Sequence, residues 1–175
     1  MQRRDPQPAA AERTTIEQFL DYQRATLLQK TEGLDAYQMN RRLPTSALTL
    51  SGLLKHLALV EDHWFGPVFL GREQAEVWRA VDWEADEDWE WHSAVDDSPA
   101  ALRDLFEASV EASDEVVREA LARPEGLDAL SVRESRQSGG RFSLRWILVH
   151  MVEEYARHNG HADLIRESID GQTGE

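Results

Sequence analysis

The sequence predicts an all-α fold, a four-helix bundle whose second and third helices are joined by a long crossover. Two observations carry that expectation. Four stretches place apolar residues at helical spacing between helix start and stop signals. Between the second and third lies an acidic, Trp-rich stretch, 70–97, with no clean strand or helix period. The length of 175 residues suits one domain with a proper core.

Residues 1–12 read as a flexible arm, because Pro6 and Pro8 precede any apolar pattern, with the bundle over 13–171 and a tail at 172–175. Thr14 with Glu17 gives capping-box spacing for the first helix; Ile16, Phe19, Leu20, Leu27 and Leu28 supply its apolar stripe, and Gly33 ends it. Thr49 is the expected N-cap of the second helix, which should run to about Gly66 before Pro67 disturbs it. Ser98 and Pro99 form an N-cap and first-turn pair for the third, which stops before Pro124. A loop with a small hairpin around Gly139 and Gly140 follows. Ser143 then caps a long last helix that Gly171 terminates. A crossover spanning the bundle makes the second and third helices run in the same direction.

Composition narrows the function. A net charge of -14 argues against nucleic acid or an anionic membrane surface as partner, since phosphates are repelled over much of the surface. The chain has no cysteine, which excludes disulfides, thiolate metal sites and a thiol nucleophile of its own. Any sulfur chemistry must be imported. The opening stretch has no apolar signal-like region and no segment approaches the ~18 to 20 apolar residues of a membrane span, so the expectation is a soluble, cytoplasmic protein.

The chemistry concentrates in "HMVEEYARHNGH", His150 to His161. At about 100° per residue, Ile147, Met151, Ala162 and Ile165 define the core face of the last helix, with His158 in its middle and Glu154 just inside its edge. A buried carboxylate needs a partner or a metal. Glu and His one turn apart are good ligands for a borderline divalent ion. A third ligand should come from a facing helix, and His56, which flanks the core face of the second helix, is preferred to His63 near that helix's end. His56, Glu154 and His158 with an open position fit the pattern of catalytic zinc. Spacing alone leaves open a core Glu–His pair that binds no metal.

The segments "SGLLKHLALVEDHWF" and "SLRWILVHMVEEYARHNGHADLIRE" resemble the second and fourth helices of the DinB-like four-helix-bundle superfamily, in the branch of mycothiol-dependent maleylpyruvate isomerase and many actinobacterial proteins. The similarity covers roughly residues 14 to 171. It implies a divalent metal held by His56 and by Glu154 and His158; many members carry two His on the last helix, whereas the isomerase has Glu then His, as here. Zn²⁺ comes first, with Ni²⁺ or Fe²⁺ also compatible. The resemblance further implies a transferase or isomerase that uses a low-molecular-weight thiol such as mycothiol, bacillithiol or glutathione on small electrophiles. The second reading is a non-catalytic metal-binding or stress-associated dimeric bundle, and a homodimer is open for the first as well.

The remaining conspicuous residues have plainer readings. His150 and His161 sit at the border of the core face and Glu153 points to solvent. Glu61 and Trp64 could line a cavity, although a Trp at helical spacing more often packs in the core. Trp78, Trp83, Trp89 and Trp91 suggest a lid or dimer surface, or else an aromatic substrate wall. Arg41, Arg42, Arg141 and Arg145 flank helix ends, where they aid solubility or receive a carboxylate.

Overall fold

The computed structural model describes residues 2–135 and 139–173. It is mostly helical: α1 (Glu12–Thr31), α2 (Ala36–Met39), α3 (Leu50–His63), α4 (Glu76–Arg79), α5 (Trp89–Ser93), α6 (Pro99–Leu121) and α7 (Leu144–Asp170), with β1 (Leu130–Glu134) and β2 (Arg141–Ser143) forming one antiparallel pair. No helix among the described residues is long and apolar enough to cross a membrane. The expected hairpin is present in its strands, while residues 136–138 of its loop, and 174–175 of the tail, lie outside the described residues.

Three of the four long helices start where their caps predict. Thr49, Ser98 and Ser143 each accept a backbone N–H from three residues on, at Gly52, Ala101 and Trp146. The first does not. α1 begins at Glu12 with Ala11 as N-cap, so Thr14 lies inside the first turn and caps nothing. A tertiary contact accounts for the extension, because Glu12 reaches Arg145 of α7 at 2.8 Å; a carboxylate in the first turn is also favoured by the helix dipole.

The second departure is at Pro67. The chain does not leave the helical path there. It passes from α3 into wider π-helical turns over Trp64–Leu70, with Pro67 inside them. Wider winding relieves the clash of a proline ring with the carbonyl four residues back. Gly71 ends the segment at φ 68, and a Cβ there would stand 2.7 Å from Val132 of β1, so both conformation and space demand glycine.

Side-chain pairs fix the helix directions. Along α1 and α7 the partners ascend together, Glu12 with Arg145, Gln23 with Asn159 and Lys30 with Asp163, so these helices are parallel. α3 and α6 are likewise parallel, as expected: Lys55 pairs with Asp97 just ahead of α6, and the Glu61 carbonyl accepts from Ser113. α3 runs against α7, with His56 beside His158 and Trp64 beside His150. The chain must therefore return from the far end of α3 to its beginning before α6 can start, which explains the long crossover.

Leu20, Leu27, Leu53, Leu57, Phe106 and Met151 are among the buried side chains that join the four long helices in one core. A charged knot sits inside it. Arg24 donates to both oxygens of Glu61 at 2.7 and 2.8 Å and to Asp114 at 2.8 Å, while Tyr155 donates to Glu61 at 2.7 Å. One residue from each long helix takes part. Burial alone would depress the Arg24 guanidinium pKa, but the Glu61 carboxylate holds it above its ordinary value. Glu61 is thus fully buried and paired.

Candidate metal centre

His56 projects from the middle of α3 toward Glu154 and His158, which stand one turn apart on α7. One ligand atom from each of the three lies within 4.8 Å of the others. The Nε2 atoms of His56 and His158 are 3.9 and 3.8 Å from Glu154 Oε1. These distances are too long for hydrogen bonds. They exceed by a few tenths of an ångström the ~3.4 Å separation of donors around a tetrahedral Zn²⁺ with bonds of ~2.0–2.1 Å, and the two imidazole atoms lie within 4.8 Å of each other, so the three side chains would draw inward around such an ion.

The donors differ in their surroundings. His158 is buried on the core face between Tyr155 and Ala162, and its pKa falls to about 4 through burial, reinforced by the charges of His56, His161 and Arg157. It is therefore a neutral imidazole near pH 7, with a lone pair to give. His56 and Glu154 keep side-chain exposures of 19% and 21%, so the donor set opens toward solvent on their side. The sequence reasoning placed these three residues together, and the fold brings them together.

Two neighbours come from the crossover, where sequence periodicity gave no guidance. Glu90, buried on α5, has Oε1 3.0 Å from His56 Nδ1. Trp91 stacks on the His56 ring at 4.4 Å between centroids and lies 6.0 Å from His158. Gly52 seats it, since a Cβ at Gly52 would stand only 2.8 Å from the indole. Trp78 is fully buried and Trp83 and Trp89 pack beside it; of these four, Trp91 borders the candidate ligands.

The other candidates scatter. His150 stacks on Trp146 at 5.0 Å and meets Glu153 at 3.3 Å, while His161 lies 5.5 Å from the His158 ring. His63 is half-buried, which lowers its pKa together with the charge of Arg133, so its expected exposure is only partial. Exposed Glu153 pairs with Arg157. Trp64 joins Phe142, Trp146 and His150 in an aromatic cluster on the α3–α7 side. Arg145 is held by Glu12 and Asp128, whereas Arg41, Arg42 and Arg141 are exposed at the surface. A cleft of about 570 Å³ between the π-helical turns, Trp78 and α6 includes none of the three residues.

The comparison with curated proteins found no match. A family profile described as Mycothiol-S-transferase matches residues 15–171, from the first turn of α1 to the glycine that ends α7. That family is DinB-like, in agreement with the resemblance carried by the second and fourth long helices. The chain belongs to the mycothiol S-transferase family.

Proposed function

We propose that this protein is a metal-dependent transferase that joins mycothiol, or a closely related small thiol, to small electrophiles. On this reading the four long helices are a DinB-like four-helix bundle with the crossover as its lid. His56, Glu154 and His158 hold the metal. The observation that carries the proposal is their convergence without hydrogen bonds among them, which a metal-free Glu–His pair does not explain. Zn²⁺ suits two nitrogens and a carboxylate, and Ni²⁺ or Fe²⁺ suit the same set.

His56, Glu154 and His158 would hold a divalent ion, which would supply Lewis acidity that lowers the pKa of a thiol. The chain's own residues prepare the site. Neutral His158 offers a lone pair without first losing a proton, Glu154 offsets positive charge, and Trp91 keeps water from one face of His56. In the transfer, the thiol sulfur bonds to an electrophilic carbon, the leaving group departs with its electron pair, and the thiol proton passes to solvent. The absence of cysteine leaves the nucleophile to the small thiol.

The test is thiol consumption by the metal-loaded protein with mycothiol, bacillithiol and glutathione against a panel of small electrophiles. Turnover is expected with mycothiol, with loss of activity and of stoichiometric metal in the Glu154→Ala, His158→Ala double variant. No turnover with any of the three thiols refutes the transferase. A second reading, a metal-binding protein without catalysis, draws on the cover that Trp91 places over His56. It predicts full metal occupancy with no thiol consumed.

A further inference from the structure

We propose that Glu90 is a positioning residue for the candidate metal centre: from the crossover it fixes the tautomer and ring plane of His56, so that seating α5 and completing the donor set are one event. The inference rests on the metal reading above.

Packing does not account for Glu90. The residue is 5% exposed, and its Oε2 is buried with no hydrogen-bond partner among the described residues. An acid in that position is costly unless it serves another group. Its Oε1 faces His56 Nδ1 at 3.0 Å. A carboxylate accepts there, which places the proton of the neutral ring on Nδ1 and leaves the lone pair of Nε2 free. Nε2 is the atom that faces Glu154, 3.9 Å away. Histidine ligands of metals commonly donate their second ring N–H to a carboxylate in this way, which raises the basicity of the ligating nitrogen.

The neighbours of Glu90 hold it at that task. Trp89 lies under the Lys55 ammonium at 4.3 Å, and Lys55 also binds Asp97 at 2.6 Å, so the crossover is pinned to α3 at the first residue of α5 and again beyond its end. Trp91, the next residue, stacks on the same His56 ring over Gly52. His56 is thereby fixed in plane by an indole and in rotation by a carboxylate. His158 has no equivalent support, since its Nδ1 is buried without a partner among the described residues. The asymmetry makes His56 the donor whose orientation depends on the crossover.

The test uses the full chain and Zn²⁺ as probe, in wild type, Glu90→Leu, which removes the acceptor, and Glu90→Gln, which keeps an acceptor without charge. Two quantities are read: Zn²⁺ affinity by competition with a chromophoric chelator, and the His56 tautomer in the metal-free protein by ¹⁵N NMR. The expected result is a wild-type His56 protonated on Nδ1, a shift toward the Nε2–H form in E90L, and Zn²⁺ affinity lower by about 10- to 100-fold in E90L and by less in E90Q. Should E90L fail to fold, E90Q still decides, since affinity and tautomer both equal to wild type there overturn the proposal. Wild-type affinity in E90L, or an unchanged tautomer, overturns it alone. A wild-type chain that binds no Zn²⁺ overturns the metal reading as well.

Discussion

Replacing Glu61 by glutamine tests whether the charged knot organises the four long helices. Glu61 is fully buried and accepts three hydrogen bonds, two from Arg24 and one from Tyr155. The amide keeps the shape but removes the charge, leaving a guanidinium only 1% exposed with two exposed carboxylates, Asp114 at 2.8 Å and Asp21 at 3.7 Å, as ionic partners. Breaking a buried pair from one side costs about 3–5 kcal/mol, a large share of the ~5–15 kcal/mol that holds a typical domain. Removing both charges is different. An Arg24→Met, Glu61→Leu double variant loses the desolvation cost with the attraction, but strands the Tyr155 hydroxyl at about 1–3 kcal/mol. Adding Tyr155→Phe should bring stability back near wild type. Urea unfolding of the metal-free protein, read by circular dichroism, gives all three values. A loss below about 1 kcal/mol in E61Q, or a triple variant as weak as E61Q, would refute the reasoning.

Three further outcomes follow from named contacts. Gly52→Ala should displace the indole of Trp91 from His56, because the new Cβ would come within 2.8 Å of it; a changed Trp emission and weaker Zn²⁺ binding are expected, and an unaltered spectrum would place the stack elsewhere. Tyr155 is pushed well above the ordinary tyrosine pKa, first by burial and then by Glu61. A raised folded-state pKa contributes stability that is present below the unfolded value of about 10 and is lost as pH rises past it. Alkaline titration followed near 295 nm should therefore leave one of the three tyrosines un-ionised until the protein unfolds. Ser98→Ala removes the side-chain acceptor for Ala101 N–H at the start of α6 and should cost about 1 kcal/mol by urea unfolding.

How much of this was legible in the sequence depends on which interactions are local. The caps at Thr49, Ser98 and Ser143 satisfy backbone donors three residues away, so the sequence displays both partners. The start of α1 does not, because Glu12 is drawn into the helix by an arginine on α7. The convergence of His56, Glu154 and His158 was legible for a related reason. A period of 3.6 places Glu154 and His158 on one face, and the cost of burying them announces that they need a partner. Arg24 and Glu61 carried the same signal: each stands one turn from a core leucine, Leu20 and Leu57, on an apolar stripe. Opposite charges interrupting two facing stripes are a readable pair.

Glu90 had no such signal, and the reason is physical. Periodicity reports a side chain's direction only inside a helix or strand long enough to repeat, and α5 has five residues, Trp89–Ser93, in a stretch without period. Its position is set from outside, by Lys55 over Trp89 and by Gly52 beneath Trp91. Both of those residues are on α3, within a turn of His56. The seat for the crossover is therefore written into the same helix as the donor it covers: Gly52, Lys55 and His56 together decide where α5 lies. A change at any of the three should act on the donor set through Trp91 and Glu90, even where it leaves His56, Glu154 and His158 intact.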